Sequence, residues 1–79
     1  MDIGTFLEEF AGILEIDVAS IGVDTKLESL ETWDSVNVLS YMALVDQKFG
    51  REILPDDIAK AKTVGDLYRL AKGEAIFGS

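Results

Sequence analysis

The apolar side chains of the first fifteen residues recur with the period of an α-helix. Six of them fall on one face: Ile3, Phe6, Leu7, Phe10, Ile13 and Leu14. Asp2 can cap the start of this helix, or Thr5 can, with Glu8 completing a capping box. The pattern predicts an amphipathic helix over residues 3–15, and such a stripe is typical of a face packed against a core.

Residues 16–33 show no sustained period, because their aliphatic side chains are scattered among Asp, Ser, Gly, Thr and Lys. A connection this long is uncommon in a compact domain. We interpret it as an extended segment attached to a helical core by single side chains. Leu27 and Leu30 are predicted to be two of these attachment points.

A second helix is predicted over residues 35–49. Asp34 is a suitable N-cap, and Trp33 and Val38 have the spacing of a hydrophobic staple around it. Gly50 suits the C′ stop. The helix carries two apolar stripes, of which the first comprises Val38, Met42, Val45 and Phe49 with Tyr41 beside it, and the second comprises Val36, Leu39 and Ala43. One stripe is enough to face the core of a small protein, so the second is either core or an exposed strip for a partner.

A short helix is predicted after the second one. Pro55 suits the first turn of a helix, and Asp56 and Asp57 match the preference for acidic residues there, with an end before Lys62. The two aspartates lack the Asp-x-Asp-x-Asp-Gly spacing of a calcium loop. We therefore interpret them as a solvated helix start and predict no metal site.

A last helix is predicted to begin at Thr63. Thr63 and Asp66 have the spacing of a capping box, and Gly73 is a stop signal. Beyond that stop, Ile76 and Phe77 are apolar enough to fold back onto the first helix. The predicted fold is thus all-α: a small bundle of three main helices and one short helix, with a long first loop.

Composition narrows the possible functions. We expect a single domain over residues 1–79, because a chain of this length supports only one small core. There is no Cys and no His, which removes the thiol nucleophile, the usual general base and the commonest metal ligand. The net charge of −8 disfavours nucleic acid and favours partners with a basic patch. No apolar run approaches the roughly 20 residues of a membrane span, and the first residues do not resemble a signal peptide. We expect a cytoplasmic monomer that does not bind membranes.

Ser35 is the candidate for chemistry. It follows the predicted cap Asp34, beside unsatisfied N–H groups at the positive end of a helix dipole, where phosphate is favoured. On these residues alone the segment is either an ordinary helix start or an anion site. An enzyme is poorly supported, because the only base near the Ser35 hydroxyl is Asp34, and no nucleophile–base pair results.

The order of these features resembles the acyl carrier protein family. The matching parts are the long loop, the helix start Trp33-Asp34-Ser35-Val36, the helix end Phe49-Gly50, the turn Pro55-Asp56-Asp57 and the segment Thr63-Val64-Gly65-Asp66-Leu67. The resemblance runs from about Phe6 to Leu70. It implies that a phosphopantetheinyl transferase attaches 4′-phosphopantetheine from coenzyme A to Ser35, with Asp34 and Val36 as motif neighbours. It also implies a non-catalytic carrier of thioester-bound acyl groups that acyl-loading and acyl-using enzymes process.

The same resemblance implies a docking surface and a cargo lining. The docking candidates are Asn37, Leu39, Ser40, Ala43, Asp46 and Gln47. The lining candidates are Met42, Val45, Ile58, Ala61 and Tyr68. These five side chains must also fill the core when no cargo is present. Because Met42 and Tyr68 are bulky, we expect a small or absent cavity in the unloaded protein.

Two departures from the family pattern bear on the pathway. Val36 stands where the family usually has Leu, and the predicted second helix has few acidic residues after Ser35. We therefore expect a specialised carrier in fatty-acid, polyketide or related biosynthesis, or in an amino-acid or short-acyl pathway. Its docking is expected to use Val36, Leu39 and Ala43 and to depend little on salt. The alternatives are an aminoacyl or peptidyl carrier, although the glycines usual before the serine of those proteins are missing, and an unmodified helical adaptor that binds partners through the same three residues.

Overall fold

The computed structural model describes residues 1–74. Within them the chain forms four helices: α1 (Ile3–Leu14), α2 (Ser35–Phe49), α3 (Pro55–Lys60) and α4 (Val64–Ala71). The long first connection contains two 3₁₀ turns, Val18–Ser20 and Leu27–Ser29. The all-α bundle with three main helices and one short helix is confirmed. The predicted contact of Ile76 and Phe77 with α1 lies outside the described residues.

The structure shows which residue caps the start of α1 and corrects the predicted end of this helix. Asp2 is the N-cap, since its carboxylate accepts a hydrogen bond from the Thr5 N–H at 2.8 Å. The predicted end at residue 15 is one residue too late. Glu15 adopts a left-handed conformation with φ of 58°, and its N–H bonds back to the carbonyls of Ala11 and Gly12. That conformation ends the helix at Leu14.

The core is built around aromatic rings from α1 and α2. Phe6 and Phe10 of α1 are fully buried and stack at 5.8 Å between ring centroids. Both meet the ring of Tyr41 edge-on at 6.4 Å. The Tyr41 hydroxyl donates to the carbonyl of Leu67 at 2.7 Å, which ties α2 to α4. Burial raises the pKa of Tyr41 well above its ordinary value, so this hydroxyl keeps its proton.

The face of α2 that enters the core differs in part from the predicted stripe. Its buried residues are Tyr41, Leu44 and Val45. Leu44 belongs to neither predicted stripe. The predicted stripe residues Val38, Met42 and Phe49 are only partly buried. Since Tyr41 packs against two rings of α1, the helix is turned toward the Tyr41 side. The second stripe is accordingly the exposed one, with Val36 and Leu39 at 68% and 66% exposure.

The first connection is attached to the core as predicted. Leu27 is buried and Leu30 packs against the core from a half-buried position. Both follow Lys26, which forms an antiparallel bridge with Thr63 at the start of α4. The leucine side chains and this bridge hold a segment that has no continuous helix of its own.

Glycine is required where the first connection meets α4. The Gly65 N–H donates to the Val23 carbonyl at 2.9 Å, and the Val64 N–H donates to the Thr25 carbonyl at 3.0 Å. A Cβ atom on Gly65 would lie 2.9 Å from the Val23 carbonyl oxygen. Any larger residue there would push the two segments apart, so this close backbone pairing depends on the missing side chain.

Candidate attachment site at the start of α2

The Asp34 side chain organises the start of α2. Its backbone is extended, and its carboxylate accepts the N–H of Asn37 at 3.0 Å. The Asp34 carbonyl accepts the N–H of Val38 at 2.9 Å, which begins the helical ladder. Ser35 is therefore the first helical residue, the position that the cap chemistry predicts.

The first turn of α2 leaves donors open. Helix geometry gives the N–H groups of Ser35 and Val36 no intrahelical acceptor. The first turn of α2 contains no acidic residue, and the N-cap carboxylate of Asp34 accepts the N–H of Asn37 rather than theirs. At the third position, Asn37 uses its side-chain amide to donate to the Thr32 carbonyl, which fastens the helix to the preceding turn. Open donors at a helix N-terminus are the arrangement that binds phosphate oxygens.

The Ser35 hydroxyl is accessible. Ser35 is exposed, and no group within residues 1–74 hydrogen-bonds to its side chain. By contrast, the hydroxyls of Ser20 and Ser29 each donate to a carbonyl at 2.6 Å. An exposed hydroxyl without a partner, beside open N–H donors, fits a phosphate ester. The residues at the start of α2 thus fit the group that the resemblance implies.

Trp33 fixes the approach to this site. Its half-buried ring lies 5.4 Å from the Phe10 ring of α1 and 6.1 Å from the Tyr41 ring of α2. The backbone N–H of Trp33 donates to the Leu30 carbonyl at 3.0 Å. The staple between Trp33 and Val38 stays a prediction, whereas the ring contacts anchor Trp33 to both α1 and α2. Ser35 therefore lies two positions after a residue that is held from two sides.

Comparison with known families decides the class of protein. The family described as "Phosphopantetheine attachment site" matches residues 5–71. The chain belongs to this family. Comparisons with curated proteins and with solved structures gave no match. Members carry a covalently attached 4′-phosphopantetheine group, interact with a phosphopantetheinyl transferase and with biosynthetic enzymes, and are generally non-catalytic.

The docking candidates of this carrier differ in their exposure to solvent. Leu39, Ala43, Asp46 and Gln47 are exposed, whereas Asn37 and Ser40 are half-buried. Ser40, Ala43 and Gln47 border a surface pocket of about 350 Å³ together with Glu9 and Ile13 of α1. The docking set thus extends from the exposed strip of Val36 and Leu39 round to the groove between α1 and α2.

The candidate cargo-lining residues of the carrier also differ in how deeply they are buried. Val45 and Ile58 are buried, while Met42, Ala61 and Tyr68 are half-buried. Tyr68 packs on Phe6 at 5.3 Å between ring centroids, and its hydroxyl donates to the Met1 carbonyl at 3.0 Å. Tyr68 is therefore part of the aromatic core, and a role for these five residues in enclosing cargo stays a prediction.

A second surface pocket of the carrier was missed by sequence reasoning. Its volume is about 510 Å³, and it is lined by Lys26, Leu27, Glu28, Ala61, Lys62 and Thr63. Ala61 is the lining candidate that borders it. The other residues lie in the first connection and between α3 and α4. No local pattern brings these segments together, because the pairing of Lys26 with Thr63 spans more than thirty positions.

Within residues 1–74 no group of three or more acidic side chains is arranged to hold a metal ion. Over the same range no helix is long and apolar enough to cross a bilayer.

Proposed function

We propose that this protein is an acyl carrier in which Ser35 holds 4′-phosphopantetheine and, through it, acyl intermediates as thioesters. The observation that carries the proposal is the exposed Ser35 hydroxyl, which has no partner within residues 1–74 and lies at the open start of α2. The match of the chain to the phosphopantetheine attachment family supports it.

The residues around Ser35 have separate roles in this proposal. Asp34 caps the helix and orients its first turn. The N–H groups of Ser35 and Val36 and the helix dipole favour a phosphate by about 0.3–1 kcal/mol. When bound, the prosthetic group supplies the thiol that the sequence lacks. Anchoring at Ser35 raises the effective concentration of cargo at each partner enzyme.

The attachment is tested by intact mass after incubation with coenzyme A and a phosphopantetheinyl transferase. We expect one phosphopantetheine addition, its complete loss in Ser35→Ala, and its retention in Ser20→Ala. Ser20 is the matched control because it is also exposed but donates to the Asp17 carbonyl outside α2. Unchanged mass with several promiscuous transferases would favour the unmodified adaptor instead.

The exposed strip on α2, defined by Val36, Leu39 and Ala43, is the proposed docking surface. Val36 and Leu39 are two-thirds exposed, and a small monomer seldom exposes neighbouring large apolar side chains without a partner. Partner enzymes would present an apolar patch with basic groups at its edge. This chemistry suits a specialised acyl carrier, with an aminoacyl or peptidyl carrier as the alternative within the same superfamily.

The strip is tested with Leu39→Glu. We expect kcat/KM for the transferase to fall about tenfold, which corresponds to about 1.4 kcal/mol of lost binding. Val18→Glu is the control, since Val18 is an exposed apolar residue of the first connection and does not belong to α2. Circular dichroism should show the same helix content in both variants. Equal kcat/KM for Leu39→Glu and the unmodified sequence would remove the strip from the docking surface.

A further inference from the structure

The 510 Å³ pocket lies where the first connection crosses the junction of α3 and α4. Its volume is within the range of small-molecule sites. The pocket has an apolar part, formed by the buried Leu27 and the half-buried Ala61. Lys26 and Lys62 bring two positive charges to its rim, and Glu28 brings one negative charge.

The backbone around this pocket is held firmly. The Leu27 N–H donates to the Lys62 carbonyl at 2.9 Å, and Lys26 bridges Thr63. The Lys62 N–H donates to the Asp66 carboxylate at 3.0 Å. The backbone at both lysines is therefore already ordered beside the pocket opening. A ligand that binds there has to order only the lysine side chains, which reduces the entropy lost on binding.

The charge pattern leaves both lysines without an ion pair among the described residues. Lys48, Arg69 and Lys72 each have a carboxylate partner at 3.9 Å or less. Lys26 and Lys62 are exposed and have no ion-pair partner within residues 1–74. In a chain of net charge −8, the pocket rim carries a local excess of one positive charge. That excess attracts a small anion.

We propose that this pocket binds a short aliphatic carboxylic acid, with Leu27 and Ala61 contacting the carbon chain and Lys26 and Lys62 pairing with the carboxylate. The acid is either a dicarboxylic cargo, tethered through Ser35 by one carboxyl as a thioester with the other carboxylate free, or a free metabolite. Ser35 follows Leu27 by eight residues, so their Cα atoms are at most about 28 Å apart. The turn at Leu27–Ser29 and the hydrogen bond from Trp33 to Leu30 shorten that distance. The tethered form rests on the proposed function.

The test compares two cargoes of equal length. Apo protein is loaded with glutaryl or pentanoyl groups from the corresponding coenzyme A thioesters, and loading is checked by mass. Amide ¹H–¹⁵N shifts of Lys26, Leu27, Ala61 and Lys62 are then measured. We expect the glutaryl form to shift these amides at least about twofold more than the pentanoyl form.

Variants assign the effect to the lysines. The double substitution Lys26→Gln with Lys62→Gln should reduce the glutaryl shifts to the pentanoyl level. Lys48→Gln is the matched control, because Lys48 pairs with Glu9 in another part of the surface, and it should leave the shifts unchanged. Equal shifts for the two cargoes in a correctly loaded protein would overturn the tethered form of the proposal.

Titration of free glutarate into unloaded protein provides the second arm. Saturable shifts of the same four amides that disappear in the double variant would support a free acid as ligand. Absence of lysine-dependent shifts in both arms would overturn the proposal that this pocket binds a carboxylic acid. Failure of loading would instead contradict the proposed function, and the free-acid titration would still decide whether the pocket binds a carboxylate.

Discussion

The starts of α2 and α4 have the same cap spacing but different chemistry. At α2 the Asp34 side chain accepts the N–H of Asn37, and at α4 the Thr63 side chain accepts the N–H of Asp66, at 3.0 and 3.1 Å. Both helices thus satisfy one donor of their first turn through the N-cap residue. The difference lies in the residue at the third helical position and in the burial around it.

The start of α4 is closed. The Asp66 carboxylate accepts the N–H groups of Lys62 and Thr63 at 3.0 and 3.2 Å and also pairs with Arg69. The four residues Val64, Gly65, Asp66 and Leu67 are all buried. A capping box in this setting satisfies backbone donors at a part-buried junction.

The start of α2 is open. Asn37 holds the position that Asp66 holds in α4, but its amide donates to the Thr32 carbonyl and brings no negative charge. Ser35 and Val36 are exposed. At α4 a carboxylate at the third helical position and burial close the first turn. At α2 the carboxylate is confined to the N-cap Asp34, and the N–H groups of the exposed residues Ser35 and Val36 stay available to an incoming anion.

The largest expected effect is a difference between the two helix caps in the unfolding free energy that is lost when the capping carboxylate is removed. Asp66→Ala should lower the free energy of unfolding by about 3 kcal/mol, because it leaves two part-buried backbone N–H groups and the Arg69 guanidinium without their shared acceptor. Asp34→Ala should lower it by only about 1 kcal/mol, since water can replace the lost cap. Urea denaturation measures both values. Equal losses in the two variants would break the contrast between a closed and an open helix start.

A second prediction asks what holds the open start in place. Trp33→Ala should lower the free energy of unfolding by about 2 kcal/mol, since a half-buried ring that contacts Phe10 and Tyr41 is removed. Amide exchange should become faster at residues 35–38 and stay unchanged at residues 64–67. Trp33→Phe is the control and should retain most of the protection. Unchanged exchange at residues 35–38 would show that the ring does not fix this end of α2.

The smallest expected effect is a pH dependence at the start of α4. Burial alone would raise the pKa of Asp66, but hydrogen bonds from the Lys62 N–H, the Arg69 guanidinium and the Thr63 N–H outweigh it and lower the pKa. A lowered pKa contributes stability that is present above about pH 3.9 and is lost as the pH falls through the folded-state pKa.

Asp66→Asn tests that contribution. The unmodified protein should be about 1 kcal/mol more stable than Asp66→Asn near pH 7, and this difference should shrink as the pH falls from about 4 toward 2. Urea denaturation over that pH range measures it. A difference that stays constant with pH would mean that the charge of Asp66 does not stabilise α4.

Local sequence signals predicted most of the helix boundaries. Asp34, Gly50, Pro55 and Thr63 each act through their own backbone or through residues three or four positions away, so their spacing in the sequence is enough. The position of Ser35 at a helix start follows from the same signals. The predicted end of α1 failed by one residue, because a left-handed glutamate is less readily predicted than a left-handed glycine.

Long-range packing decided what could not be predicted. Leu44 belongs to the core because α2 turns its Tyr41 side toward rings of α1 that lie thirty or more positions earlier. The pocket at Lys26 depends on a backbone bridge to Thr63. Neither arrangement has a period or motif in the sequence. Helix starts and the candidate attachment serine are local features, whereas helix rotation and pocket walls arise only from the assembled fold.

Trp33 also gives the protein an intrinsic optical reporter. It is the single tryptophan in the sequence and lies two positions before Ser35. Its indole can be excited without exciting the two tyrosines, and its half-buried position makes the emission sensitive to local polarity. The proposed transfer to Ser35, or a partner seated on the exposed strip of α2, should change the solvent around that ring. We therefore expect that loading and docking can be followed in real time by fluorescence, without attaching a dye.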